Sequence, residues 1–309
     1  MLLSQVAFSI KDPQKMRRFY CDLLGFRPAG GTRRFRGPTA SKIQGLPDVA
    51  STCRWYVDGT EFFQFEMFEF ENPKPRPKPA GWRPCDIGYT RITLSVFGLD
   101  AVLARLAEAG YPAIAGTMEI DGKKRACVND PEGVFVELVE ASPGELAPGY
   151  PVAFKSVALS VPDLEKSRHF LADVLGVSPV PDRPVARDEL WALPGAISYA
   201  SLFRLGGREI ELYQYHDPVP ASWPQDYRLS DLGLLNIALG FRSKRELKKV
   251  YKLALASGYR ANSRIFDFVF GSCVYLSDDN DFSIELLSCW RIGEVYIGFM
   301  DKTRKGVKP

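Results

Sequence analysis

The stretch Ser156-Val157-Ala158-Leu159-Ser160-Val161-Pro162-Asp163-Leu164-Glu165-Lys166-Ser167 reads as a short strand that turns directly into a helix. Small polar and apolar residues alternate through Val161, the period of a strand with one apolar face, and Asp163 stands where a helix N-cap belongs. Relatives of this stretch begin at Gln5 (QVAFSIKDPQKM), Arg91 (RITLSVFGLDAV) and Asn236 (NIALGFRSKREL). Nearly the same length of chain separates the first copy from the third as the second from the fourth. The pattern is a duplicated duplication.

In the first copy Val6, Phe8 and Ile10 form the apolar face, which should meet the following helix, and Gln5, Ala7 and Ser9 form the other. That helix is predicted over 12–24, with Asp12 as cap, Pro13 in the first turn, Met16, Phe19, Tyr20, Leu23 and Leu24 at helical spacing, and a stop at Gly25. Residues 26–50 read as a weak strand plus loop, and 52–57 and 60–70 as a hairpin turning at Asp58-Gly59. The second unit repeats the order with a helix over 99–109, the third with one over 163–175 and the fourth with one over 243–256. Proline-rich connectors occupy 71–86 and 217–231, and a linker 142–151. The expectation is an α+β fold of four βαβββ modules in two domains, 1–145 and 151–292. A tail follows at 293–309, its Lys302, Arg304, Lys305 and Lys308 making a solvated end.

With 309 residues and 46% hydrophobic content the chain can bury two cores, and a net charge of +3 without a basic, aromatic-interleaved groove argues against a nucleic-acid partner. No apolar segment approaches the ~20 residues that span a bilayer, and no leader pattern opens the chain, so a cytoplasmic protein without a membrane partner is expected. Six cysteines without a CxxC pair point to reduced, buried thiols. Phosphate-binding glycine loops and nucleophile elbows are absent, so nucleotide chemistry and serine hydrolysis are not indicated.

Phe19-Tyr20-x-x-Leu23-Leu24-Gly25-Phe26 and Asn129-Asp130-Pro131-Glu132-Gly133-Val134-Phe135-Val136-Glu137-Leu138, with the weaker echo Ser283-Ile284-Glu285-Leu286, carry a family likeness. Together with the order of modules they resemble the vicinal oxygen chelate superfamily of glyoxalase I, bleomycin-resistance proteins and type I extradiol dioxygenases, in its two-domain form. The resemblance implies that each pair of modules curls into an eight-stranded cup holding a divalent metal on residues from the first and last strands of each module. Carried onto this chain, those places are Gln5, Glu66, Arg91 and Glu137 in an N-terminal cup, and Ser156, Glu211, Asn236 and Glu285 in a C-terminal one.

An extradiol iron site needs two imidazoles and a carboxylate. Only two histidines occur, His169 in a helix and His216 beyond the strand of Glu211, and neither stands at a ligand place. A divergent ring-cleaving dioxygenase is therefore the least favoured reading. Arg91 would fill its place with a guanidinium, either pairing with Glu66 and Glu137 or binding an anionic ligand. For the C-terminal cup three readings stay open: Glu211, Glu285 and Asn236 hold a hard cation (Mg²⁺, Mn²⁺ or Ca²⁺) and no other cofactor; the paired carboxylates act directly as acid and base; or they are remnants around a pocket. The favoured function is an isomerase- or lyase-type proton transfer on an apolar or aromatic carbonyl compound. Glu285 would be the base, Glu211, Tyr213 or Tyr215 the acid, His216 a further titratable candidate, and Asn236 and Ser156 orienting donors. The alternative is a metal-free protein that sequesters a small ligand. Pairing between copies through exposed sheet edges is left open.

Overall fold

The computed structural model describes residues 1–181, 187–224 and 226–301. The first module runs β1 (Leu2–Ile10), α1 (Pro13–Arg17, continued by wider π-type turns over Arg18–Leu23), β2 (Arg27–Arg36), α2 (Gly37–Gln44), β3 (Ala50–Val57) and β4 (Gln64–Asn72). The second comprises β5 (Gly88–Val96), α3 (Leu99–Glu108), β6 (Thr117–Ile120), β7 (Lys123–Asn129) and β8 (Phe135–Glu140). In the third, β9 (Val152–Ser160), α4 (Leu164–His169) and β10 (Pro179–Val180) lead to a short 3-10 turn over Asp188–Trp191, then β11 (Ile197–Leu205) and β12 (Arg208–Asp217). The fourth holds β13 (Gly233–Phe241), α5 (Lys244–Ala256), β14 (Arg260–Ala261), β15 (Phe266–Phe268), β16 (Gly271–Ser277) and β17 (Ser283–Cys289). Among the described residues no helix is long and apolar enough to cross a membrane.

Local chemistry sets the boundaries. Asp12 accepts from the Gln14 and Lys15 amides, Asp163 from Lys166 and Ser243 from Arg245, so these helices open on side-chain caps. Helix α3 has only Gly98 at its cap position. Glu140 at the end of β8 supplies the missing acceptor, taking the Gly98 and Leu99 amides at 3.0 and 2.7 Å. The segment expected to be a weak strand and loop is instead a ten-residue edge strand and a helix. Gly30 and Gly31, both at positive φ, sit where the β2–β3 register slips, and this bulge hides the alternation from a sequence reading.

The modules pair in an order that sequence proximity does not suggest. One sheet follows β2-β3-β4-β1-β13-β17-β16-β14, with β15 beside β16, and the other follows β10-β11-β12-β9-β5-β8-β7-β6. The first module thus shares a sheet with the fourth and the second with the third, whereas cups made of residues 1–145 and 151–292 were expected. Consecutive modules meet through their helices instead. Phe19 packs edge-on to Tyr111 at 5.0 Å and Phe170 to Tyr259 at 4.7 Å. Asp130, in the turn before β8, accepts from Tyr20 Oη, and Asp278, in the turn before β17, accepts from Ser167 Oγ.

The apolar strand faces and these helices form one continuous core that includes Val6, Phe8, Ile10, Ile92, Leu94, Val157, Leu159, Ile237 and Leu239. The opposite faces line the two concave interiors. Residues 293–301, expected as tail, pack on the sheet of the first and fourth modules. Phe299 is buried against Phe62, and Asp301 is buried and accepts from Tyr150 Oη. The basic residues expected in the solvated end, from Lys302 onward, lie outside the described residues.

Candidate active site

The register gives the four modules one geometry. In each, the glutamate of the last strand lies opposite the residue two positions into the repeated stretch: Glu66 opposite Ala7, Glu137 opposite Thr93, Glu211 opposite Ala158, and Glu285 opposite Ala238. Across the antiparallel seam Ala7 faces Asn236 and Gln5 faces Ala238, while Thr93 faces Ser156 and Arg91 faces Ala158. The eight expected positions therefore do converge in two groups of four, but regrouped. Gln5, Glu66, Asn236 and Glu285 share one interior; Arg91, Glu137, Ser156 and Glu211 share the other. Glu211 is consequently not the partner of Glu285, nor do Tyr213, Tyr215 or Ser156 reach it, because these lie in the second sheet.

In the interior of the second and third modules the carboxylates are fully compensated. Arg187 Nη2 donates to Glu211 Oε2 at 2.6 Å and its Nε lies 3.2 Å from Glu137 Oε2, while Arg125 Nη1 donates to Glu137 Oε1 at 2.6 Å. Arg91 sits between the pair, 3.5 Å from Glu211 and 4.0 Å from Glu137, with its guanidinium 3.3 Å from the Trp191 ring centroid. Ser156 Oγ and Tyr213 Oη donate to Glu211 at 2.5 and 2.7 Å, Trp191 Nε1 to Glu137 at 3.0 Å, and Tyr215 Oη to Asp188 at 3.0 Å. Burial works to raise the Glu211 pKa, but Arg187 and Arg91 outweigh it and hold the carboxyl at about 2. A cation has no place here. Arg187 and Trp191 were not anticipated, since they come from the irregular stretch 178–200.

The interior of the first and fourth modules is the reverse. Glu66 and Glu285 are buried, and among the described residues neither has an ion-pair partner. Glu66 Oε1 accepts from Trp55 Nε1 at 2.7 Å and from Cys53 Sγ at 3.8 Å, and Gln5 also hydrogen-bonds this carboxyl. Glu285 is hydrogen-bonded by Tyr275 and Cys273. Burial raises Glu66 to about 7 against those hydrogen bonds, and raises Glu285 well above the usual carboxylate range, with the charge of Glu66 adding to the effect. Gln5 Oε1 and Asn236 Nδ2 are buried and have no hydrogen-bond partner among the described residues. Trp55 and Tyr275 lie directly opposite Glu66 and Glu285 across their hairpins, so counting from each hairpin turn could have found them.

Neither histidine enters an interior. His169 is exposed on α4, 2.7 Å from Asp173, and His216 is exposed with its ring 5.0 Å from that of Tyr199. The apolar surroundings of the Glu66–Glu285 pair are Phe68, Phe70 and Leu46 on one side and Phe62, Leu287 and Phe299 on the other.

Residues 2–138 match the family model described as the Glyoxalase/Bleomycin resistance protein/Dioxygenase superfamily. Among solved structures, a putative dioxygenase from Bacillus subtilis superposes with a TM-score of 0.64 at 14% identity, covering 99% of this chain and 93% of that one. Glyoxalase I from Zea mays superposes with a TM-score of 0.62 at 14% identity, covering 93% of this chain and 92% of that one. No curated protein sequence matches the chain. At these identities the likeness to the solved structures is one of fold, and it extends through both halves. The N-terminal part of the chain, residues 2–138, thus matches the glyoxalase, bleomycin-resistance and dioxygenase superfamily in sequence, and nearly the whole chain is similar to these solved structures in fold.

Proposed function

We propose that the chain is a small-molecule enzyme of the isomerase or lyase type, moving a proton beside a carbonyl group, with Glu66 and Glu285 as base and acid. The observation that carries this reading is the buried, uncompensated carboxylate pair: two such groups without a counter-charge hold a proton between them at neutral pH. Their neighbours divide the roles. The Trp55 indole can only donate, so it favours the ionised form of Glu66, whereas Tyr275 and Cys273 can also accept from a protonated Glu285. Asn236, whose Nδ2 is unpartnered, donates to the substrate carbonyl oxygen, and Gln5 Oε1 is free to accept from a substrate hydroxyl. Phe62, Phe68 and Phe299 suit an apolar or aromatic body.

With the shared proton lost, the Glu66 and Glu285 carboxylates together with Gln5 Oε1 also fit a hard divalent cation such as Mg²⁺, Mn²⁺ or Ca²⁺, because they offer oxygen ligands and negative charge that no described residue neutralises. Bound there, the ion would polarise the substrate carbonyl. The chain supplies no imidazole to either interior, so the two-histidine iron set of ring cleavage has no donors to draw on.

The test is carbon-bound proton exchange of phenylpyruvate in D₂O, followed by NMR. Wild-type protein is expected to accelerate loss of the C3 proton signal, and Glu66→Gln and Glu285→Gln are each expected to reduce that rate by about 10²-fold or more while leaving binding measurable. Saturable binding without exchange would instead make the chain a sequestering protein. A Mn²⁺ titration by calorimetry, repeated on Glu285→Gln, reports separately on the cation.

A further inference from the structure

The two proline-rich connectors carry a repeat of their own. Trp82-Arg83-Pro84-Cys85-Asp86-Ile87-Gly88 and Tyr227-Arg228-Leu229-Ser230-Asp231-Leu232-Gly233 share an aromatic, an arginine, an aspartate, a branched aliphatic and a glycine at the same spacing. In each, the aspartate accepts the arginine's own backbone amide, Arg83 to Asp86 at 2.7 Å and Arg228 to Asp231 at 3.0 Å. The connectors then bond to each other: Leu232 N donates to Arg76 O and Ile87 N to Ala221 O, both at 2.9 Å, and Arg76 Nη2 pairs with Asp231 at 2.6 Å. Two equivalent, rigid turns are thereby held face to face where β5 and β13 begin.

Between them lies a cavity of about 180 Å³ walled by Trp82, Tyr89, Trp223, Tyr227 and Leu234, and it shares no residue with the carboxylate pair of the candidate active site. Three of its lining side chains end in buried donors with no hydrogen-bond partner among the described residues: Lys78 Nζ, Trp82 Nε1 and Trp223 Nε1. Glycine makes the approach possible. A Cβ at Gly233 would stand 2.6 Å from Lys78 Cε, whereas one at Gly88 would make only ordinary contact with Trp82 at 3.4 Å and Trp223 at 3.8 Å. Asp231, which also lines the cavity, is already engaged by Arg76 and Arg228. Burial pulls the Lys78 ammonium down to about 8, with Asp130 acting weakly in the other direction.

Unsatisfied donors in an aromatic enclosure call for an occupant that brings acceptors and a flat apolar body. The size sets the limit, since a cavity of ~150 Å³ accommodates one benzene ring. We propose that this cavity is a second ligand site that takes a small ring carboxylate of benzoate size, its carboxylate received by Lys78 and the two indole N–H groups and its ring held among Trp82, Trp223 and Tyr227. The site is distinct from the interior proposed for catalysis, and its occupancy does not depend on the Glu66–Glu285 chemistry.

The experiment is a titration of the full chain with benzoate, observed through the indole N–H resonances of its five tryptophans, assigned by single Trp→Phe substitutions, and by calorimetry. Trp82 and Trp223 resonances are expected to move downfield with saturation while those of Trp55 and Trp191 stay in place. Lys78→Met should weaken the affinity about tenfold or more, Glu285→Gln should leave it unchanged, and neutral benzyl alcohol should bind more weakly than benzoate. Indole resonances that do not respond to benzoate, or benzyl alcohol binding as tightly, would overturn the proposal. Should Lys78→Met fail to fold, the wild-type indole shifts and the benzyl alcohol comparison decide it alone.

Discussion

In the sheet of the second and third modules, Glu137 and Glu211 face Arg91, Arg125 and Arg187; in the sheet of the first and fourth modules, Glu66 and Glu285 face only neutral donors among the described residues. The backbone register around the two pairs is the same, so the difference lies wholly in side chains. Neighbouring guanidinium groups hold the Glu211 carboxyl at about 2, which suits a structural plug. Without such groups, the other pair can exchange its proton or accept a cation within the range where cells operate. On the proposed function, one interior of the duplicated fold is responsive and the other inert.

The largest effect should come from breaking the compensated side. Arg91→Met leaves Glu137 and Glu211 with one charge partner fewer in a closed interior, and a loss of about 3–5 kcal/mol in urea unfolding at pH 7 is expected. A loss below about 1 kcal/mol would mean that Arg187 and Arg125 already suffice.

Next in size is an opposition in pH dependence. Glu66 has a folded-state pKa near 7, above its unfolded value, so its contribution is fully present below about 4.5 and is lost as pH rises through 7, on the order of 3 kcal/mol. Glu211, held at about 2, contributes above the unfolded value near 4.5 and loses that contribution as pH falls toward 2. Thermal unfolding between pH 3 and 8 should therefore show a maximum near pH ~5, and Glu66→Gln should flatten the alkaline limb while sparing the acid one. An unchanged alkaline limb in that variant would remove Glu66 as its source.

The smallest effect sharpens the roles within the responsive pair. Trp55→Phe keeps the ring and removes the donor 2.7 Å from Glu66, which should raise the Glu66 titration midpoint and destabilise its ionised form by about 1 kcal/mol, as read by ¹³C carboxyl NMR.

Much of this was legible in the chain itself. Alternation in β1, β5, β9 and β13 exposed the modules, and the resemblance to the superfamily then pointed to Gln5, Arg91, Ser156 and Asn236 and to the last-strand glutamates. The pairing of modules was not legible, because all four opening strands present the same alternation and nothing in it distinguishes a neighbour in sequence from a neighbour in space. That one uncertainty joined Glu211 to Glu285 and Arg91 to Glu66, and so exchanged the partners of two different chemistries. Arg187 was hidden for another reason: it precedes a single 3-10 turn and reaches the interior from a segment without periodicity. The connector repeat was present in the residues but reads as punctuation until Arg76, Asp86 and Asp231 are seen bonding across it.

The nesting of the sheets also bears on how the chain comes into being. During synthesis β5 and β9 are close in sequence and can pair early, but β1 must wait for β13, which emerges only after most of the chain has been made. Through that interval the first module presents an unpaired strand edge. The responsive interior is the last part of the molecule to exist, and any chain released before β17 would contain the arginine plug complete and the Glu66–Glu285 pair not at all.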